Sequence, residues 1–518
     1  MDNKKLVLTA MVFAVAMLFI DQTIVALAIP NLQRQLHLSP TGAQWIVNGY
    51  LLALSALFAL GGRVADVVGH RRMVLISVSA FAICSALCGA TPTGSIAETW
   101  IILFRVLQGA SAAFLFPAAL AIVAATYPVE ERGRALAVFF SISGGLTAIG
   151  PIAGGYLTEW TWRSIFWINV PVAIVAIALT VISRVPHERH PARVDVPGAV
   201  LVSAGMGLSV LGLQQASAWG WGSAATWACL VAGLLVLGVF VRFELRTRDP
   251  LVPLRLFADQ GFGADNTVLF LISICFVPLF FFASLYAQIA LGKSASNAGL
   301  LLLVFFGGFA IAAQWGGRVL DARGARPTVV LGCAVGAVGF YLWGSKLDTL
   351  SFSNQWYYLT IAGAGMGLVL GPVSADALNR APRTAYGAVT GITQTVRYFG
   401  GSLGLAVLGS ILITETTSRV VNTLGKVGVP TTRADRIAHA ISGASGAGAN
   451  GGSRPRASGH IGHALQLDFA LATRTVVYGM AAAMAVAFVA AVLRMPSGRA
   501  EQPVSTSADA QTRRVASG

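Results

Sequence analysis

The sequence predicts an all-α integral membrane protein of fourteen transmembrane helices, laid out as two related sets of six with two further helices between them. Three observations predict it: the hydropathy of the chain, the sides on which its basic residues fall, and a loop sequence that occurs twice. Of 518 residues, 55% are hydrophobic and 11% charged, with a mean hydropathy of +0.71, whereas a soluble domain carries roughly 25% charged residues. A water-soluble core cannot hide that much apolar surface. A bilayer can, at about 20 apolar residues per span.

Taken in order, the apolar runs place spans near residues 7–29, 44–62, 73–91, 99–126, 135–158 and 163–183. Two follow near 196–216 and 224–242, and six more near 263–290, 297–317, 328–345, 356–379, 386–414 and 470–493. The first run lacks a small-residue cleavage pattern after it and reads as a retained helix, not a signal peptide. With the N-terminus inside, the inner loops hold Lys4, Lys5, Arg63, Arg71, Arg72, Arg132, Arg134, Arg184, Arg189, Arg193, Arg242, Arg246, Arg248 and Arg255 in the first half alone. The outer short loops hold only Arg34, Arg163, Lys293 and Lys346. Because Lys and Arg stay on the cytoplasmic side, both termini are expected in the cytoplasm. Residues 416–468 would form a long external loop with a flexible Gly443–Gly459 stretch, and long loops escape the charge rule. His460 and His463 there read as polar loop residues.

The net charge of +15 does not point to nucleic acid, since the basic residues are dispersed between apolar runs and form no basic face. Cys84, Cys88, Cys229, Cys275 and Cys333 all fall in apolar segments and read as packing residues, not as disulfides or metal ligands.

Gly62-Arg63-Val64-Ala65-Asp66-Val67-Val68-Gly69-His70-Arg71 matches the stretch from Gly317 to Arg326 at a constant offset of 255 residues, the difference between positions 317 and 62. Pro117 and Pro372 share it. In span numbers the shift is eight, so spans 1–6 pair with 9–14 and spans 7 and 8 are extra: a 6+2+6 layout. The expected units are residues 1–190, a linker pair at 191–260, a second bundle at 261–495 and a cytoplasmic tail at 496–518. Parallel six-helix repeats suit a transporter whose halves rock about a central site; a transport-inactive sensor or membrane enzyme is the alternative from another class, but no signalling domain or polar catalytic cluster accompanies the spans.

Within the first copy of the loop, Gly62 and Gly69 permit a tight turn, Asp66 supplies a carboxylate, and Arg71 and Arg72 supply cations. Asp66 is expected to meet Arg132 or Arg134, or the positive start of the thirteenth span near Gly387, and so to latch the cytoplasmic side; Asp321 and Arg326 repeat the pattern. In the fifth span, Gly144, Gly145, Gly150, Pro151, Gly154 and Gly155 favour a kinked, closely packed helix. Ionisable residues at membrane depth mark a pathway by default. Asp21 lies about ten residues, roughly 15 Å, from the outer end of its span, and Arg105 shares that outer half. Arg397, near Gln394, Gly400 and Gly401, is a third intramembrane charge. Asp376 reads as interfacial. Two apparent phosphate motifs fail: Ala287 stands where Gly292-Lys293-Ser294 needs a glycine, and Leu368 stands where Gly363, Gly365 and Gly367 need a fourth. No nucleotide site remains, so an ion gradient is the expected drive.

The loop at Gly62 resembles the signature of the Major Facilitator Superfamily, with Val67 and His70 in place of its usual basic residues. Phe19-Ile20-Asp21-Gln22-Thr23-Ile24-Val25, Trp45 with Tyr50, Arg105 with Gln108 and Gly109, Trp162-Arg163-Ser164-Ile165-Phe166 with Asn169 and Pro171, and Pro250 to Phe257 resemble its fourteen-helix drug:proton antiporter branch. Gly150-Pro151-x-x-Gly154-Gly155 resembles the antiporter motif, with Leu146 in place of an earlier glycine. The resemblance implies a multi-pass exporter in a bacterial cytoplasmic (inner) membrane, not an enzyme. It would exchange protons for small lipophilic, often cationic drugs by alternating access, as a monomer without a cofactor. A dedicated exporter of one endogenous metabolite or lipid is the alternative within transport. Helices lining the central cavity in that fold would bring Asp21 and Arg105 face to face. Asp21 would take up the proton or meet a cation, since desolvation favours the acid and a guanidinium the carboxylate. Gln22, Phe114, Phe116, Tyr286 and Gln288 are cavity candidates, aromatic faces being able to hold lipophilic cations.

Overall fold

The computed structural model describes residues 3–127, 129–183, 195–247, 250–380, 386–442 and 460–498. They form α1 (Asn3–Leu36), α2 (Pro40–Val68), α3 (His70–Gly89), α4 (Ala97–Thr126), α5 (Val129–Trp160), α6 (Ser164–Trp167), α7 (Asn169–Ile182), α8 (Val196–Trp219) and α9 (Ala224–Glu244). There follow α10 (Gln260–Ile289), α11 (Ala295–Arg323), α12 (Arg326–Gly344), α13 (Trp356–Asn379), α14 (Tyr386–Lys426), α15 (Thr431–Ser442) and α16 (His460–Arg494). No strand occurs among the described residues. Thirteen helical spans among them are long and apolar enough to cross a membrane, α6 and α7 together making one; α5, at 32 residues, is of crossing length as well. Pro30, Pro117, Pro151, Pro278 and Pro372 lie inside helices, which membrane helices tolerate because neighbours satisfy the freed carbonyls. "Outer" below means the side on which α1 ends, "inner" the side on which α2 ends.

The duplicated loop makes the same turn twice. Gly69 closes α2 at φ 96° and Gly324 closes α11 at φ 84°, a left-handed backbone that suits glycine. Their N–H groups donate to the Ala65 and Leu320 carbonyls, each at 2.9 Å. Close packing repeats too. A side chain at Gly61 would run into the Ala113 backbone, joining α2 to α4, and one at Gly316 would meet Leu368 and Pro372, joining α11 to α13.

The segment expected as a long external loop is largely helical. α14 runs on to Lys426, α15 follows, and α16 begins at His460; residues 443–459 lie outside the described residues. Loss of apolar character after Ile413 marks where α14 leaves the apolar layer, not where it stops. A Glu415–Arg419 ion pair at 3.0 Å spans one turn, and Val420 and Leu424 bury against Ala434 of α15.

α8 and α9 close on each other where Gly205 meets Leu237 and Gly233 meets Ser209. α8 also packs on both α2 and α14. Ala199, Val202 and Met206 of α8 and Phe240 of α9 share an apolar cluster with Ala56 of α2 and Val389 and Ile392 of α14, so α8 and α9 together touch both sides of the junction between the early and late helices. That junction is made by α2 with α14, α5 with α11, and α1 with α10.

Candidate functional site

Membrane-depth polar groups converge where α1, α2 and α4 meet. Arg105 Nη1 donates to Asp21 Oδ2 at 2.6 Å and to Gln108 Oε1 at 2.8 Å, and Gln108 Nε2 donates to Asp21 Oδ1 at 3.2 Å. Gln108 follows Arg105 by three positions, so both face α1 from one side of α4. Arg105 Nε donates to the Ile46 carbonyl of α2 at 2.8 Å, and its guanidinium lies 4.4 Å from the centre of the Tyr50 ring. Asp21 and Gln108 are 0% exposed, Arg105 and Tyr50 1%. Every Asp21 oxygen is thus engaged, as a buried carboxylate requires. The Tyr50 hydroxyl is buried without a hydrogen-bond partner among the described residues.

One residue further along α1, Gln22 Nε2 donates to the Tyr398 hydroxyl of α14 at 3.0 Å. Phe58 joins the same contact, its ring 6.2 Å from Tyr398 and 5.6 Å from Phe116, which in turn meets Phe19 at 5.8 Å. The triad therefore adjoins a polar bond and an aromatic cluster linking early and late helices. Beside Tyr398, Arg397 forms no ion pair or hydrogen bond among the described residues, and its Nε is buried and unpartnered. It has ring faces only: Phe276 at 5.5 Å and Tyr398 at 5.8 Å. Such faces contribute about 2 kcal/mol to a side chain that is half-buried overall.

The outer junction is tightly closed. Gly154 packs on Ile24 of α1, Gly155 on the Ala295–Ser296 backbone of α11, and Gly299 of α11 on the Pro151 carbonyl. Gly150 lies against Ile20 and Thr23. The Gly-Pro-x-x-Gly-Gly run thus seats α5 between α1 and α11. Glu159 Oε1 accepts from the Ser296 hydroxyl at 2.5 Å and its N–H at 3.3 Å. Gln288 Nε2 donates to the Leu27 carbonyl at 3.1 Å. The surroundings of Gly144 and Gly145 lie outside what is described.

The remaining sequence candidates separate. Phe116 is fully buried in the aromatic cluster, and Phe114 is half-buried beside Gly61. Tyr286 stands apart from the triad: its hydroxyl donates to the Leu347 carbonyl at 2.9 Å and accepts from Gln355 at 2.8 Å. Gly62 lies over Pro117. Asp66 approaches His70 Nε2 at 3.6 Å; the side chains of Arg132 and Arg134 and the surroundings of Gly387 lie outside what is described. Arg71 is half-buried, Arg72 and Asp321 are exposed, and Arg326 donates to Ser497 at 2.6 Å and to the Val492 carbonyl at 2.9 Å.

Asp376 lies near the inner end of α13. It is 1% exposed and accepts from Arg380 Nε at 2.8 Å, while Asp265 of α10, also buried, lies 3.4 Å from the same atom. One turn of helix carries Arg380 back over Asp376, which the i, i+4 spacing could have revealed; Asp265, tucked beneath it, had no such signal. Tyr398 was likewise missed, although it adjoins an intramembrane Arg. Asn48 of α2 was missed too. Its amide bonds the Gln214 side chain of α8 and accepts from Ser402 of α14.

The sequence profile of the Major Facilitator Superfamily matches residues 11–405. The chain is 36% identical over 412 residues to the tetracenomycin C resistance and export protein of Streptomyces glaucescens, covering 78% of this chain and 75% of that one. It is 35% identical to the cephamycin export protein of Amycolatopsis lactamdurans, covering 77% and 84%. With the puromycin resistance protein of Streptomyces alboniger it shares 33% identity, covering 78% and 81%. Among solved structures, a bacterial homologue of the human lysosomal transporter Spinster aligns with TM-score 0.64 at 16% identity, covering 95% and 98%. A D-xylose–proton symporter aligns with TM-score 0.59 at 13% identity, covering 85% and 94%.

Proposed function

This chain belongs to the Major Facilitator Superfamily, and from that premise we propose that it is a proton-coupled antiporter exporting lipophilic drugs by alternating access. Its relatives support drug efflux: their names specify export of, or resistance to, tetracenomycin C, cephamycin and puromycin. Each is named for a single compound, which supports a narrow cargo range as a second reading. The 6+2+6 layout, both termini in the cytoplasm, a bacterial inner-membrane location and a monomeric state belong to the same proposal.

The observation that carries the coupling is the buried Asp21–Arg105–Gln108 triad. A proton arriving on Asp21 Oδ1 adds a donor to a group that only accepted. It loosens the triad by removing the negative charge that holds Arg105, although Oδ1 keeps acceptor capacity for Gln108. Once Asp21 is neutral, Arg105 loses its counter-charge while its Nε still holds the Ile46 carbonyl of α2. The strain falls at the contact of α1, α2 and α4, one residue from the Gln22–Tyr398 bond across the junction. Rocking of the halves would follow, as in parallel-repeat transporters. Of the supports for cationic cargo, Asp21 as a direct partner is weakened, because both its oxygens are already engaged.

The test is efflux of a panel of dyes and antibiotics from expressing cells, with and without a protonophore, beside Asp21→Asn in inverted vesicles. Collapse of the proton gradient should stop efflux, and Asp21→Asn should abolish gradient-driven uptake. Efflux that outlasts the gradient removes the antiport reading, and a fully coupled Asp21→Asn removes Asp21 as its proton carrier.

A further inference from the structure

Arg397 is the membrane-depth charge that the coupling scheme leaves unused. It lies eleven residues into α14, about 16 Å along the axis at 1.5 Å per residue, near the middle of a hydrocarbon core about 30 Å thick. Its neighbour Tyr398 bonds Gln22, so Arg397 stands at the depth of the Asp21 triad, on the opposite side of the junction. Gly400, Gly401 and Gly404 bring α14 against α10 at Phe270, Ser273, Ile274 and Val277. That close approach places the guanidinium beside Phe276.

A guanidinium keeps its charge at any physiological pH. At this depth it requires an anion or water, and the buried carboxylates described are committed elsewhere. Asp21 is held by Arg105, while Asp265 and Asp376 share Arg380 at the inner end of the molecule. Among the described residues, the midplane thus carries one neutralised pair and one positive charge flanked by rings.

We propose that Arg397 is the anion-binding group of the transport site, and that the cargo is a small aromatic compound bearing an ionised acidic group. The acid would take the fork of the guanidinium, which suits carboxylate geometry; Phe276 and Tyr398, 3% and 0% exposed in this state, would offer their rings once the halves part. The proposal deepens the export reading and rests on it. It also gives the antiport an electrostatic logic: an anion at Arg397 and a proton at Asp21 bind on opposite sides of one junction, each satisfying a different charge.

The test uses the purified full chain, in detergent and in proteoliposomes, with an aromatic carboxylic acid and its methyl ester as matched probes. Wild type should bind and transport the acid ahead of the ester. Arg397→Gln should weaken the acid by about tenfold to a hundredfold, the span of a charge-assisted hydrogen bond, and leave the ester unchanged. Arg397→Lys should keep part of the preference, which separates loss of charge from loss of fold. Equal effects on acid and ester, or an acid preference that survives Arg397→Gln, overturn the proposal. So does a site whose only Arg397-dependent occupant is chloride or the phosphate of an anionic lipid, read by varying chloride and vesicle composition at fixed acid. Acid binding that depends on Arg397 without any transport would overturn the export reading and leave the anion site standing.

Discussion

Removing either member of the Asp21–Arg105 pair strands a charge in a place without water, so the two deletions should be more harmful than their sum of contacts suggests. Arg105→Ala is expected to destabilise by about 3–5 kcal/mol, as for other broken buried pairs, and the neutral double variant Asp21→Asn with Arg105→Gln by less. Thermal unfolding in detergent measures both. A double variant no better than Arg105→Ala would argue against the ion pair as the organising contact. Gln22 and Tyr398 make a separate case. Tyr398→Phe and Gln22→Leu each delete the same bond, so their effects should overlap by about 0.5–1.5 kcal/mol in a double-mutant cycle. Strict additivity would mean that the bond contributes nothing to joining the halves.

At the scale of the element, α5 is built for close approach on two sides. Gly150 and Gly154 serve α1, and Gly155 serves α11; on the facing helix, Gly299 leaves room for the Pro151 carbonyl. A branched side chain at Gly155 has no room without moving the α11 backbone. Gly155→Val should therefore weaken the closed outer junction. A Glu159→Cys, Ser296→Cys pair, standing where those side chains now touch, should crosslink under mild oxidation in the otherwise native chain, and Gly155→Val should lower the yield several-fold, on the order of the 1–3 kcal/mol typical of overpacking. An unchanged yield would show that the junction closes elsewhere.

For the molecule as a whole, the inserted α8 is more than a spacer. Gln214 of α8, Asn48 of α2 and Ser402 of α14 form one buried polar contact, and an apolar cluster on the inner side holds the same three helices. In hydrocarbon such polar groups act as specific joints between helices. Asn48→Leu orphans two partners and Gln214→Leu leaves the Ser402 bond intact, so Asn48→Leu should lower the unfolding temperature more. Equal shifts would place the joint in the apolar cluster instead. Because α8 touches both sides of the junction, the proposed rocking of the halves would have to carry α8 along or slide past it.

The sequence by itself determined the solvent, the helical class, nearly all the spans and the duplicated turn, because a bilayer demands long apolar runs and self-satisfied backbones, and glycine alone readily takes the turns at Gly69 and Gly324. It also placed Asp21 and Arg105 at one depth, since a helix converts residue number into distance. Loop polarity misled over 416–468, because a helix outside the apolar layer need not be apolar. Which groups share partners was decided only by tertiary structure. Gln22 meets Tyr398, and Asn48 meets Ser402, across more than three hundred residues; Asp265 and Asp376 converge on one arginine, and Arg397 is left with rings. Those pairings depend on the rotation of each helix about its axis, which packing sets and which one-dimensional hydropathy does not record.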